Sequence, residues 1–217
     1  MDLKNKIHRQ EYLFNCINAQ KLLPRILPNV AKQLEINREK KQNMQYFVEH
    51  KLLELWDMLD RYCPQSIIEL GSGLSTMIFA EYQKKGNFCE IISIDENKDY
   101  QDSVRETLLK NDIEFRVYDK IVDNDAMTVR YDYDFKDVEA DFVYVDGPAN
   151  TIENHDYTCS DTFTILENAD LDVDTFFVYD FRISTVKKVV ENSDRLKFKF
   201  GHPISVSGRH HSVGMTV

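Results

Sequence analysis

The sequence predicts an α/β fold, a mostly parallel sheet with helices on its faces, and three observations predict it. Short apolar runs suited to buried strands alternate with stretches of helical period; a glycine turn, Gly71-Ser72-Gly73, follows the first strand; and acids recur at the carboxyl ends of successive strands. The first strand is Ser66-Ile67-Ile68-Glu69-Leu70. Glycine at 71 and 73 permits positive φ and lets a ligand approach bare backbone, and the helix expected from Thr76 to Tyr82 turns its unpaired amides toward the same place.

The other elements are taken in chain order. Between Glu11 and Leu23 apolar residues recur at helical spacing, and Pro24 and Pro28 are expected to kink the link beyond them. From about Ala31 to Tyr62 a stripe of Met44, Val48, Leu52, Leu55 and Leu59 predicts one long helix or two in succession, ended by Pro64. Past the glycine turn the helix ends at Gly86, a suitable left-handed cap. A strand over Ile91–Ile94, a helix over Asp99–Lys110 and a strand over Ile113–Tyr118 complete a β-α-β-α-β rhythm. Residues 119–140 break it, and Tyr131-Asp132-Tyr133-Asp134-Phe135 suits either an edge strand or a loop. The pattern resumes with a strand over Asp141–Val145, a turn at Asp146-Gly147-Pro148, a helix over Tyr157–Glu167, a strand over Thr175–Tyr179 and a helix over 183–191. Two alternating stretches, 196–200 and 211–217, form an antiparallel pair.

Composition bounds the function. With 217 residues, 42% of them hydrophobic and 12% aromatic, the chain can build one sizeable core with an appendage. The net charge is −10; residues 1–60 hold 10 Lys/Arg against 8 Asp/Glu, while the remainder holds 17 against 29. Such an acidic body opposes a sequence-independent grip on nucleic acid. Cysteines at 16, 63, 89 and 159 show no metal-ligand spacing and suit reduced thiols in a cytoplasm. No apolar leader and no membrane-length run is evident, so no membrane partner is expected.

Four acids fall at strand ends, Asp95, Asp119, Asp146 and Asp180, and a carboxylate there must be solvated, paired or given a ligand. Asp95 lies 24 positions after Gly71, the separation of a ribose-binding acid from its glycine loop, although a helix cap serving Asn97 and Lys98 would also use it. Asp146-Gly147-Pro148 suits a substrate contact or one ligand of a divalent cation, although Asp-Gly-Pro is also plain turn chemistry. His155, in the loop after that turn, carries an imidazole able to accept a proton near neutral pH, though a histidine in a surface loop needs no function. Arg182 could hold an anionic substrate, and His202, His210 and His211 flank the final turn.

Glu69-Leu70-Gly71-Ser72-Gly73-Leu74-Ser75-Thr76, Ile94-Asp95-Glu96 and Asp141-Phe142-Val143-Tyr144-Val145-Asp146-Gly147-Pro148 together resemble three motifs of the class I S-adenosylmethionine-dependent methyltransferases. The resemblance spans roughly residues 62–217, and Ser75 replaces the usual third glycine, as in a subgroup with a Gly-x-Ser-Thr ending. It implies a Rossmann-like three-layer sandwich with a seven-stranded sheet whose last strand is antiparallel, preceded by an N-terminal helical extension over 1–61 that serves as cover, lid or dimer surface. It also implies a cofactor site of Glu69, Gly71, Ser72, Gly73, Ser75, Thr76, Asp95, Glu96, Asp119 and Asp146. Glu69 would lie near the methionine ammonium, Asp95 at the ribose and Asp119 near the adenine amino group. Catalytic candidates are Asp146, His155 and Asp180. Metal-assisted members pair two such carboxylates around a divalent cation such as Mg²⁺, but Phe181 stands where they carry a further ligand.

The expected activity is methyl transfer to a small-molecule or saccharide acceptor, at oxygen, by analogy with surface-carbohydrate biosynthesis. Two rivals keep the fold: a nicotinamide-dependent oxidoreductase, which would want a third glycine in the turn, and a non-catalytic binding module that uses the N-terminal helices as its interface.

Overall fold

The computed structural model describes residues 17–40, 48–108, 111–153, 155–180, 182–197 and 212–216. Three helices come first: α1 (17–26), α2 (Pro28–Glu39) and α3 (Val48–Tyr62). Then come β1 (Ser66–Leu70), α4 (Leu74–Lys84), β2 (Glu90–Asp95), α5 (Lys98–Thr107) and β3 (Ile113–Val117). They are followed by β4 (Lys120–Asp123), β5 (Thr128–Tyr131), β6 (Glu139–Val145), β7 (Thr151–Ile152), β8 (His155–Asp156) and β9 (Thr158–Cys159). The chain continues through α6 (Asp161–Asn168), β10 (Asp170–Tyr179), α7 (Ile183–Asn192), β11 (Leu196–Lys197) and β12 (Ser212–Thr216).

The main sheet has seven strands in the order β11-β12-β10-β6-β1-β2-β3. β12 runs antiparallel to β10 and to β11, while β10, β6, β1, β2 and β3 run parallel. The order reverses between β1 and β6, so the chain leaves those two neighbours in opposite directions and opens a crevice at their carboxyl ends. One sheet face packs on the N-terminal helices and α4 through Leu27, Val30, Leu34, Leu55, Leu59, Ile67, Phe79, Phe142 and Val178. The other carries Ile68, Leu70, Val143, Val145, Phe177 and Tyr179 against Ile165, Val186 and Val189 of α6 and α7. This alternation is the strand period of two, and it aims Glu69, Ser93 and Tyr144 toward the face of the N-terminal helices.

Several boundaries differ from those expected of the sequence, for identifiable reasons. Pro24 lies inside α1, flanked by fully buried Leu23 and Leu27, and only Pro28 separates helices, at the first turn of α2. The 31–62 stretch gives α2 and α3, and Met44 falls outside the described residues. α4 starts at Leu74, two residues early, because the Thr76 hydroxyl accepts the Gly73 N–H at 2.8 Å and caps the helix there. α6 starts at Asp161 instead of Tyr157, since Thr158 and Cys159 are drawn into pairing with β5. β10 starts at Asp170 because an irregularity between Leu171 and Phe176 lets the strand resume its register with β6. The undecided 119–140 segment contains the β4–β5 hairpin, which joins β9 in a small second sheet. Tyr131 ends β5, while Tyr133 stacks on Tyr118 with ring centroids 4.4 Å apart and Phe135 is fully buried. Of the C-terminal pair, 198–211 lies outside the described residues, and with it His202, His210 and His211.

Candidate active site at the carboxyl rim of the sheet

At the switch point the strand ladders run on into the loops. Gly71 N–H donates to the Ile94 carbonyl at 2.7 Å, and Asp146 N–H to the Leu70 carbonyl at 2.8 Å. Gly71 has φ +94°, and a Cβ there would stand 2.8 Å from the Gly147 nitrogen; a Cβ on Gly147 would stand 2.7 Å from the Gly71 nitrogen and 2.3 Å from the Tyr131 hydroxyl. The loops after β1 and β6 therefore meet backbone to backbone, which requires both residues to be glycine.

Beneath the turn lies Glu69, fully buried. Its carboxyl accepts hydrogen bonds from the hydroxyls of Ser75 at 2.5 Å, Thr76 at 2.6 Å and Ser93 at 2.5 Å. Burial pushes its pKa up to about 7 against the opposing pull of these hydroxyls. Ser75 and Thr76 thus anchor the first turn of α4 to β1. Ser93 pairs with Glu69 in the β1–β2 ladder, so a polar residue inside the apolar run 91–94 was the available sign of a buried partner.

Asp95 ends β2 and is 6% exposed. Its oxygens accept the Ser72 N–H at 2.9 Å and the Asn97 N–H at 2.8 Å, so it braces the glycine turn and the start of α5 together. The α5 cap itself is Asn97, whose side chain accepts the Tyr100 N–H. Burial raises the Asp95 pKa, against the pull of the backbone amides that bond it. Ser72 completes the brace through its hydroxyl, 2.8 Å from that of Ser93.

Glu96 faces the β6 loop, accepting the Ala149 N–H at 3.0 Å and the Tyr131 hydroxyl at 3.3 Å. Asp119 is exposed after β3 and fixes its surroundings through its carbonyl, which accepts the Asp132 N–H at 2.7 Å. Asp146 is half-exposed, with Arg182 Nη2 3.7 Å from Oδ1 and the same guanidinium donating to the Asp146 carbonyl. Asp180, buried, receives the ammonium of Lys51 from α3 within 2.5 Å of either carboxylate oxygen. His155 is exposed on the β7–β8 hairpin, opposite Ile152.

Three tyrosines had no place among the residues the sequence singled out. Tyr100 places its hydroxyl 3.5 Å from where a Gly73 Cβ would be; burial raises its pKa, and so do the charges of Asp95, Asp146 and Glu69, which all act on it. The Tyr131 hydroxyl occupies the space a Gly147 side chain would need and donates to Glu96. Tyr144 hydrogen-bonds Asp180, and burial and then that carboxylate hold its phenol well above the usual range. The alternation of β6 could have placed Tyr144, but Lys51 lies 129 positions from its partner and had no local signal.

Among the described residues no cluster of three His, Cys, Asp or Glu side chains could hold a metal ion, and no helix is long and apolar enough to cross a membrane. A cleft of about 30 Å³ lies between Gly73, Leu74, Tyr100 and Asn37, room for a water molecule.

No protein-family model and no curated protein matches the chain. Solved structures do. An SAH-bound methyltransferase from Podospora anserina superposes with a TM-score of 0.63 at 12% identity, over 88% of each chain. The O-methyltransferase from Bacillus cereus in complex with SAH gives 0.59 at 14% identity, over 91% of this chain and 96% of that one. The O-methyltransferase TomG from Streptomyces achromogenes, in complex with SAM, gives 0.56 at 14% identity, over 92% and 96%. With strands in the order β3-β2-β1-β6-β10-β12-β11 and β12 antiparallel to its neighbours, the chain has the fold of the class I S-adenosylmethionine-dependent methyltransferases.

Proposed function

We propose that the protein is an S-adenosylmethionine-dependent methyltransferase that methylates a small molecule at oxygen, with saccharide hydroxyls among the acceptors to test. The observation that carries this reading is Asp95 at the end of β2, bonded to the glycine turn at the switch point of a sheet whose fold is shared with SAH- and SAM-bound methyltransferases. Gly73 keeps backbone accessible beside the turn, its nearest neighbour on the side-chain side being the Tyr100 hydroxyl, 3.5 Å from where a Cβ would be, and Asp95 offers the acceptor a ribose diol needs. Glu69 acts on the bound amino-acid end only through the hydroxyls of Ser75 and Thr76, since its own oxygens are enclosed.

When bound, the cofactor supplies a methyl on a positively charged sulfur, which an acceptor oxygen displaces to leave a neutral thioether. The chain must then align the acceptor and take up its proton. Asp146 is the proton acceptor in this reading, because it is the half-exposed carboxylate that follows β6 at the switch point, steadied by Arg182. Asp180 is enclosed with Lys51, and His155 stands on an exposed hairpin.

Calorimetry with S-adenosylhomocysteine tests the assignment, with NADH as the control ligand. Wild type should bind the thioether and not NADH, and Asp95→Ala should weaken binding about tenfold or more, the loss of a charge-assisted bond pair. Binding of NADH alone, or affinity unchanged in Asp95→Ala, would refute it.

A further inference from the structure

Asp146 and Asp180 follow residues that pair in register, Val145 with Tyr179, so the two carboxylates leave adjacent parallel strands side by side. Two adjacent carboxylates at a strand rim are the oxygen set that attracts a hard divalent cation. Here each already has a cation. Lys51 reaches Asp180 within 2.5 Å, with side-chain exposures of 11% and 10%, and Arg182 lies 3.7 Å from Asp146 with 10% of its side chain exposed. Asp180 also takes a hydrogen bond from Tyr144. Each of the two carboxylates is thus offset by a cation of the chain, and an ion entering beside Asp180 would meet an ammonium at contact distance. These residues therefore do not fit a divalent metal.

We propose that Lys51 is the resident cation of this rim, a positioning residue supplied by the N-terminal helices, and that the rim works without a divalent metal. The inference rests on the methyltransferase reading only for what the rim does; the exclusion of metal follows from the charges. It also gives α3 a role beyond cover, because the helix carries a charge into the site.

Titration with Mn²⁺, followed by its electron paramagnetic resonance signal, decides the matter. Wild type should show no saturable Mn²⁺ binding. Lys51→Met, which keeps the apolar stem and removes the charge, should gain about tenfold or more in Mn²⁺ affinity, and Asp180→Asn in the same chain should abolish the gain. Lys51→Arg should exclude the ion as wild type does. A saturable wild-type site lost in Asp180→Asn overturns the proposal, as does a folded Lys51→Met variant that gains nothing. Should Lys51→Met fail to fold, the wild-type and Lys51→Arg titrations still decide. Calorimetry with S-adenosylhomocysteine on the same wild-type sample separates the two readings: absence of heat there removes the methyltransferase function and leaves the metal result standing.

Discussion

Gly147 has no room for a side chain: a methyl group there would press on the Tyr131 hydroxyl at 2.3 Å and on the Gly71 nitrogen at 2.7 Å. The phenol could move, but the backbone of the glycine turn is held by the Ile94 carbonyl and by Asp95. Gly147→Ala should therefore destabilise the fold by about 1–3 kcal/mol in urea unfolding, and adding Tyr131→Phe should recover little of it. Full recovery in the double variant would mean that the phenol, and not the Gly71 backbone, forbids the methyl. Glu69 shows the same dependence on surroundings in its charge. Three hydroxyls replace the water it has lost, yet burial still prevails and sets its pKa at about 7.

Among the elements, α3 does two things at once. Its face of Leu52, Leu55 and Leu59 enters the same core as Ile67, Phe79 and Phe142, while Lys51, next to Leu52, reaches Asp180 just past the end of β10. Tyr62 stacks on Phe176 with centroids 3.8 Å apart, and Arg38 of α2 bonds Glu49 at 2.8 Å, so the helices are tied to one another and to the sheet. Leu55→Ala should cost about 2–5 kcal/mol, the range for a fully enclosed leucine, and should unfold the whole chain in one transition. A separate early transition in thermal unfolding would show instead that the N-terminal helices form a detachable layer. The helical stripe made α3 legible in the sequence, but the docking that brings Lys51 to Asp180 was not, because pairs so distant leave no periodic trace.

Across the molecule, buried acids make stability respond to pH, Glu69 and Asp161 among them. Burial raises Glu69 and Asp161 to about 7, from ordinary values of 4.5 and 3.8. A carboxyl whose pKa is higher folded than unfolded contributes its stability in full below the unfolded value and loses it as pH rises through the folded one. The protein should thus be more stable near pH 5 than near pH 8, each acid contributing up to about 3 kcal/mol to the difference. Urea unfolding at the two values checks this, and Glu69→Gln should remove its share of the slope. Parallel pH profiles for variant and wild type would mean that Glu69 ionises in the fold as it does in an open chain.

Residue order alone was enough for the succession of strands and helices in the main sheet, the glycine turn at Gly71 and the acids at the strand ends, because these depend on local period, backbone freedom and the cost of an unpaired charge; the small strands between 120 and 159 were not legible in it. The partner of each acid came only with the packed fold: hydroxyls for Glu69, backbone amides for Asp95, a loop for Glu96, an arginine for Asp146 and a lysine for Asp180. A strand end fixes where a carboxylate sits, whereas its partners come from elements that the crossovers of the sheet carry to the same rim from far along the chain.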